Sequence, residues 1–265
     1  MQSIIKDEII KHLNIFKLIN GSQHGFTKGR SCLTNLLEFF EKVTDTIDKG
    51  KPFDCIYLDF AKAFDKVPHF RLIKKLKAHG VVGNVAKWIF AWLTGRKQRV
   101  VINGVSSSWG NVISGVPQGS VLGPLLFLIY INDIDTDLFS KICKFADDTK
   151  IGRAVATEDE VQLLRDDLKN LAKWAIDWQM LFNVEKCVVM HIGKNNKLYS
   201  YNMNDATLKA VDLERDLGVV INKNGKYSEQ CLMAAKKANS VLCMIKRIIK
   251  CKNAAIIVGL YKSLV

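Results

Sequence analysis

Two short apolar runs in this chain each end on carboxylates, which restricts how the chain can fold. Asp59 closes the run Cys55–Leu58, and Asp147 and Asp148 follow a Phe-Ala pair. A carboxylate at the end of a buried strand is costly unless it is paired or binds a metal. Neighbouring carboxylates also repel each other unless a cation lies between them. If the two strand ends lie side by side, Asp59 and Asp147 can clamp divalent metal ions.

Each run also has a plain structural interpretation. An Asp-Asp pair is common in turns, and the segment LDFAKAFD (residues 58–65) could open a helix that Asp59 caps. Short motifs of this kind have a high false-positive rate. Neither run therefore identifies a metal site by itself.

The composition is that of a folded globular protein that carries excess positive charge. Of the 265 residues, 48% are apolar and 25% are charged, which excludes a disordered tail or a fibre. Lys and Arg number 39 and Asp and Glu number 26, so the net charge is +13. This charge favours nucleic acid or an anionic membrane surface as a partner, although it also fits a merely basic soluble protein.

A segment without charged residues runs from Val100 to Asn132, yet it does not predict a membrane span. It is interrupted by Asn103-Gly104, by three consecutive serines and by two prolines, and its longest apolar run is Leu125–Ile131. A helix that crosses a bilayer needs about 20 apolar residues. The segment is therefore predicted to be buried in a soluble domain with no membrane partner.

The seven cysteines are scattered and form no CxxC pair, so the sequence predicts neither a zinc site nor a disulfide partner. Such cysteines are typical of a reduced, intracellular compartment. Residues 1–14 alternate charged and apolar positions at helical spacing and lack the features of a signal peptide.

The order of the predicted elements indicates an α+β class, because strands and helices are mixed without regular βαβ alternation. Asn103-Gly104 predicts a tight hairpin. A change of character near residue 195 divides the chain into 1–195 and 196–265. Apolar periodicity predicts helices over 1–14, 31–48, 68–78, 84–93, 122–134, 158–179 and 228–249, and strands over 53–60, 98–102, 105–112, 139–145, 149–151, 188–192 and 217–221.

Six segments in order resemble motifs of reverse transcriptases. YLDFAKAFDKV (57–67), SGVPQGSVLGP (114–124) and FADDT (145–149) resemble palm motifs A, B and C. QHGFTKGRSCLTNL (23–36) resembles the segment before motif A, MLFNVEKC (180–187) resembles motif D, and ERDLGV (214–219) resembles motif E, the primer grip. The set is most similar to non-LTR retrotransposon enzymes of the jockey-like LINE superfamily, particularly the chicken-repeat group. A group II intron maturase is the nearest rival family.

The resemblance implies a right-hand polymerase fold and a catalytic set within it. Residues 1–195 would form partial fingers and the palm, and residues 196–265 the primer grip and a partial thumb. Asp59 and Asp147 would hold two Mg²⁺ ions, for which Mn²⁺ can substitute, helped by the Phe60 carbonyl and by Asp148. Lys186 would be the acid that protonates the leaving pyrophosphate, with a solvated surface lysine as the alternative.

The same resemblance implies residues for the nucleotide and the nucleic acid. Phe64 would exclude the ribose 2′-OH, Gln118 would contact the incoming dNTP and the template, and Arg30 would lie on the nucleotide side. An ordinary core phenylalanine and a helix-opening turn are the alternatives for Phe64 and Gln118. The RNA template and DNA primer would contact the primer grip and the C-terminal helix, through Gly218, Lys236, Lys237, Lys246 and Arg247.

Three hypotheses follow for the function of the chain. The first is an RNA-directed DNA polymerase. The second is an inactive nucleic-acid-binding remnant, because part of the fingers and of the thumb is expected to be missing. The third is a metal-dependent phosphatase built on LDFAKAFD, which leaves the PQG and ADD segments without a role. The resemblance also suggests a fragment of a mobile-element polyprotein, present in the nucleus or cytoplasm as a retroelement ribonucleoprotein.

Overall fold

The computed structural model describes residues 1–250 and 253–264. The chain forms two compact units, Met1–Val211 and Asp212–Val265. The predicted division after residue 195 concerns the functional parts of a polymerase and stays a prediction. In the structure, the strand Lys209–Ala210 pairs with the sheet of the first unit.

The helices of the first unit surround a sheet, and those of the second unit follow a hairpin. Two of them, α2 and α7, begin with capping boxes in which Ser31 and Thr157 accept a hydrogen bond from the backbone three residues later. The helices are α1 (Gln2–Ile15), α2 (Cys32–Asp48), α3 (Ala63–Lys66), α4 (His69–Ala78), α5 (Gly83–Leu93), α6 (Gly123–Tyr130), α7 (Glu158–Trp178), α8 (Ser228–Ile248) and α9 (Ala254–Leu264).

The strands make one five-stranded sheet and several two-stranded ribbons. The order in the main sheet is β11-β8-β1-β7-β6, and only the β11–β8 pair is parallel. The strands are β1 (Phe53–Leu58), β2 (Lys97–Gln98), β3 (Val101–Ile102), β4 (Val105–Ser106), β5 (Gly110–Asn111), β6 (Lys141–Phe145), β7 (Asp148–Ala154), β8 (Val188–Ile192), β9 (Asn202–Met203), β10 (Ala206–Thr207), β11 (Lys209–Ala210), β12 (Leu213–Asp216) and β13 (Val219–Asn222).

The core lies between the main sheet and the helices of the first unit. Central strand β1 is buried at every residue except Tyr57, and α6 is buried at every residue except Pro124. Helix α6 packs against α4. Residues 122–132 of the uncharged segment therefore lie in the interior. Residues 100–111 are exposed and form short hairpin strands, so the prediction that the whole segment is buried was wrong for its first part. In the part of the chain that the structure describes, no helix is both long and apolar enough to cross a membrane.

Several predicted boundaries shift for local reasons. The hairpin around Asn103-Gly104 is confirmed, with both turn residues at positive φ. The strand predicted from residue 139 begins at Lys141, because the amides of Phe139 and Ser140 donate to the Asp167 carboxylate.

One further helix and one further strand are shorter than predicted. The helix predicted to residue 134 ends at Tyr130, and the side-chain amide of Asn132 donates a hydrogen bond to the Leu18 carbonyl. The strand predicted from Leu217 begins at Val219, because Leu217 and Gly218 form the turn of the β12–β13 hairpin, both at positive φ.

A buried carboxylate ties the start of β1 to the segment after β8. Asp54 is fully buried and accepts hydrogen bonds from His191 (2.8 Å), Asn196 (2.8 Å) and the Tyr201 hydroxyl (2.6 Å). Burial, followed by the nearby Asp54 charge, raises the pKa of Tyr201 above its ordinary value, so its hydroxyl stays a donor. The network fixes the loop that leads from β8 to β9.

We expect Asp54→Ala to lower the free energy of unfolding by about 3–5 kcal/mol, because it leaves two buried donors, His191 and Tyr201, and the partly buried Asn196 amide without their acceptor. Chemical denaturation of the full chain measures this loss. The matched control is Asp45→Ala, which removes an exposed carboxylate paired with Lys49 and should leave the denaturation midpoint almost unchanged. An equal shift for both variants would contradict a structural role for the Asp54 network.

Candidate active site

The structure brings Asp59 and Asp147 together at one end of the main sheet. β1 pairs with β7 in antiparallel register with Leu58 opposite Thr149, so the residue after β1 reaches the turn that precedes β7. Both residues are partly buried. Burial and, to a smaller extent, repulsion from the Asp59 carboxylate raise the pKa of Asp147 above its usual range. The two carboxyl groups are therefore close enough to interact.

Asp147 occupies a two-residue turn between β6 and β7. Phe145 pairs with Asp148, which leaves Ala146 and Asp147 as the turn residues. Only Ala146 has a positive φ, as expected for a type II′ hairpin turn. This turn presents Asp147 at the tip of a buried hairpin, whereas Asp148 begins β7 and is exposed.

The QHGF segment, residues 23–26, packs against the turn that carries Asp147. Its backbone runs beside β6, with hydrogen bonds from the Lys144 amide to Ser22 and from the His24 amide to the Lys144 carbonyl, both 2.8 Å. The buried side-chain carbonyl of Gln23 accepts from the amides of Ala146 (3.0 Å) and Gly25 (2.8 Å). Gln23 thereby holds the first turn residue in place.

Gly25 allows the two backbones to approach each other. A Cβ atom at this position would lie 2.3 Å from the Ala146 amide nitrogen and 2.9 Å from the Phe145 carbonyl carbon. Sequence reasoning assigned no role to Gln23 or Gly25, although both stand in the segment that resembled the family. That resemblance was the one signal that could have found them.

Lys186 lies next to the first carboxylate. Its Nζ is 3.7 Å from Asp59 Oδ2, and the side chain is largely exposed. The segment that carries it is attached to the residues after β1, because the Asn183 amide donates to the Asp59 carbonyl (2.8 Å). Phe60 stacks on Phe182 with the ring centroids 4.5 Å apart. The Phe60 side chain is buried, so its backbone carbonyl is the group that could face a cation.

Residues 114–118 are attached to the segment that follows Asp59. The Val116 amide donates to the Phe64 carbonyl (2.8 Å), and the Gln118 side chain donates to the Asp65 carboxylate (3.1 Å). The Phe64 ring is partly buried and stacks on Phe127 at 4.3 Å. Phe64 and Gln118 therefore belong to one connected segment beside the carboxylate pair.

The other predicted residues lie elsewhere. Arg30 contacts the Gly21 carbonyl, His24 and Glu38, so its guanidinium is already engaged. Gly218 and the basic residues of α8 lie in the second unit, where the charged side chains are exposed. These basic residues are Lys236, Lys237, Lys246 and Arg247.

The donor set fits a hard divalent cation. In residues 1–250 and 253–264, no group of three or more His, Cys, Asp or Glu side chains is arranged to hold a metal ion. Mg²⁺ is commonly bound through one or two carboxylates together with substrate phosphates and water. Burial and repulsion from Asp59 oppose ionisation of Asp147. A bound cation would relieve that repulsion, so the Asp59–Asp147 pair suits a divalent cation.

This fold and this site define the class of protein. Residues 1–232 match the family model described as Reverse transcriptase (RNA-dependent DNA polymerase), so the chain belongs to that family. A solved structure of telomerase from Candida tropicalis with a fragment of telomeric RNA has a TM-score of 0.59 at 11% identity, and the likeness covers 86% of this chain and 37% of that one. The apo telomerase of the same organism has the same TM-score at 12% identity, covering 86% and 41%. The right-hand polymerase fold predicted from the motifs is confirmed.

The curated relatives come from mobile elements. The chain is 31% identical over 170 residues to the probable RNA-directed DNA polymerase from transposon X-element of Drosophila melanogaster, covering 62% of this chain and 19% of the relative. It is 24% identical over 283 residues to the RNA-directed DNA polymerase from mobile element jockey of the same fly, covering 100% and 30%. The resemblance to non-LTR retrotransposon reverse transcriptases is thus confirmed. The chain spans less than a third of the length of either relative.

Proposed function

We propose that this chain is the reverse transcriptase domain of an RNA-directed DNA polymerase that adds deoxynucleotides to the 3′ end of a DNA primer on an RNA template. Residues 1–195 would form partial fingers and the palm, and residues 196–265 the primer grip and a partial thumb. The observation that carries the proposal is the meeting of Asp59 and Asp147 at one end of the main sheet. Family membership and the mobile-element relatives support the reaction class.

The carboxylates of Asp59 and Asp147, helped by the Phe60 carbonyl and by Asp148, are the proposed holders of two Mg²⁺ ions, with Mn²⁺ as a substitute. Bound there, such ions stabilise the attacking and leaving oxygens of an in-line displacement at phosphorus. The chain holds the two carboxylates next to the paired ends of β1 and β7, so little reorganisation is needed during the reaction. Lys186, beside Asp59, donates a proton to the pyrophosphate as it leaves.

The nucleotide is proposed to lie against the segment that joins Phe64 to Gln118. The Phe64 ring excludes a ribose 2′-OH, and Gln118 contacts the incoming dNTP and the template. Arg30 is proposed for the nucleotide side, which would require its guanidinium to leave the Gly21 carbonyl and Glu38. Gly218 of the β12–β13 turn is proposed to contact the primer. The exposed basic residues of α8 contact phosphates of the duplex, which gives an affinity that depends on salt but not on sequence.

The direct test is incorporation of labelled dTTP by the full chain on poly(rA)/oligo(dT) with Mg²⁺ or Mn²⁺. The proposal predicts incorporation that requires both the RNA template and the divalent ion. Binding of the primer–template without any incorporation would favour the second candidate, an inactive nucleic-acid-binding remnant of the same element. Template-independent hydrolysis of small phosphoesters would instead favour a phosphatase. Residence in a nuclear or cytoplasmic ribonucleoprotein belongs to the same proposal.

We expect Phe64→Ala to raise the ratio of UTP to dTTP incorporation by about tenfold or more, because it removes the ring that blocks the 2′-OH. Phe64→Tyr is the control and should keep the ratio of the wild type. An unchanged ratio in Phe64→Ala would show that Phe64 is an ordinary core residue stacked on Phe127. Competition between the two labelled nucleotides in one reaction measures the ratio.

A further inference from the structure

The chain from Lys66 to Asn132 contains basic residues but no acidic residue. It carries nine Lys and Arg residues. This stretch includes helices α4 and α5 and none of the carboxylates assigned to the active site. Lys75 of α4 is buried and paired with Asp133. The other basic residues of the two helices are Arg71, Lys74, Lys77 and Lys87, and they make the surface of α4 and α5 a source of positive potential.

A cavity of about 500 Å³ lies between α4 and α5, within the size range of ligand sites. Lys74 and Lys77 of α4 and Lys87 of α5 line it, together with Phe70 and Phe90. All three lysines are exposed. No acidic residue lines the cavity, and none of the three lysines forms an ion pair with a carboxylate of the described residues.

Two aromatic side chains, Phe70 and Phe90, line the cavity between α4 and α5, which we call the α4–α5 groove. Phe70 is 80% exposed, which is unusual for a phenylalanine, and its ring centroid lies 5.2 Å from that of Phe90. Leu72 and Leu76, on the same helix, are fully buried, so the exposure of Phe70 does not reflect a loosely packed helix. The helix thus leaves one face of the Phe70 ring without a partner.

We propose that this α4–α5 groove binds a single-stranded nucleic acid outside the catalytic site. Lysines that lack acidic partners bind phosphates, and an exposed aromatic ring stacks on an unpaired base. A duplex offers no free base face to Phe70, and an acidic peptide offers no flat ring, so the combination fits a single strand best. In the proposed polymerase, such a strand would be RNA that has not yet been copied.

The test is fluorescence anisotropy of the full chain with labelled single strands of about 12 nucleotides, a length within the site sizes of single-strand binders. Oligo(U) and oligo(dT) distinguish RNA from DNA, and a duplex of the same length tests the requirement for unpaired bases. Phe70→Ala should weaken single-strand binding about fivefold or more and leave duplex binding unchanged. Phe70→Tyr keeps an aromatic ring and should bind like the wild type.

A second variant tests the lysines. Lys74→Gln, Lys77→Gln and Lys87→Gln combined should weaken binding and reduce the slope of log K against log salt by about 2, since each lost phosphate contact removes about 0.7. The control triple changes the exposed Lys11, Lys42 and Lys173 to Gln and has the same net charge. Phe139→Ala, which removes another exposed ring, is the control for Phe70→Ala.

The proposal is overturned if Phe70→Ala binds single strands as tightly as Phe139→Ala does, or if the two triple variants lose the same affinity. It is also overturned if Phe70→Ala weakens binding of single strands and duplex equally. All readouts are binding constants measured without nucleotides. Loss of polymerase activity would therefore leave this test unaffected, and failure of the groove would leave the proposed reaction standing.

Discussion

Replacing Asp147 by alanine is expected to reduce RNA-templated incorporation of dTTP by about a thousandfold or more. The carboxylate is one of the two side chains proposed to hold the catalytic cations, whose stabilisation of the transition state is worth several kcal/mol. The same change should leave the melting temperature equal to that of the wild type or slightly higher. Asp147 is partly buried and repelled by Asp59, so its removal costs the fold little.

Incorporation reports the catalytic effect of the substitution, and the melting temperature reports its effect on stability. Asp177→Ala removes an exposed carboxylate on α7 and should change neither incorporation nor melting temperature. A chain that keeps half of its incorporation after Asp147→Ala would show that the carboxylate pair is not the catalytic centre. A large fall in melting temperature would show that Asp147 stabilises the fold instead.

Gly25→Ala is expected to lower incorporation by about a hundredfold, the loss that a displacement of about 1 Å at a catalytic group can cause. The new Cβ would lie 2.3 Å from the amide nitrogen of Ala146, which is backbone and cannot rotate away. The QHGF segment has to move, and the Gln23 hydrogen bond to the turn is lost with it. Overpacking of this kind should also cost about 1–3 kcal/mol of stability.

Gly21→Ala is the matched control, two residues before the QHGF segment. A Cβ atom there would meet only the Arg30 side chain, at 3.9 Å, and the backbone has no positive φ. Incorporation by this variant should equal that of the wild type. Equal activity of the two alanine variants would mean that the close packing of the QHGF segment does not position the Asp147 turn. Single-turnover incorporation rates make the comparison independent of primer–template affinity.

The strand before Asp59 and the β3–β4 hairpin could be predicted because their signals are local. The apolar run before Asp59 predicts a buried strand over 53–60. The strand is observed at Phe53–Leu58, two residues shorter, and Asp59 directly follows its end. Asn103-Gly104 predicts its hairpin through the positive φ values that such a turn needs. Both predictions use neighbours in sequence only.

The hydrogen bonds that hold the Asp147 turn in place could not be predicted in the same way. Gln23 and Ala146 are 123 residues apart, and no periodicity or turn preference in either segment indicates their hydrogen bond. The early end of α6 has the same cause, because the Asn132 side chain bonds to Leu18 in a distant segment. Long-range partners of this kind override local preference, so boundaries shift where the chain contacts itself far along the sequence.

The most direct test of the carboxylate pair is the binding of Mn²⁺ to the full chain in the presence of dTTP. The relaxation rate of water protons measures this binding. We predict a saturable signal in the wild type and in Asp177→Ala. That signal should be lost in both Asp59→Ala and Asp147→Ala, because each removes one of the two side chains proposed to hold the ion. Equal Mn²⁺ binding by all four proteins would contradict the assignment of Asp59 and Asp147 as the metal-holding pair.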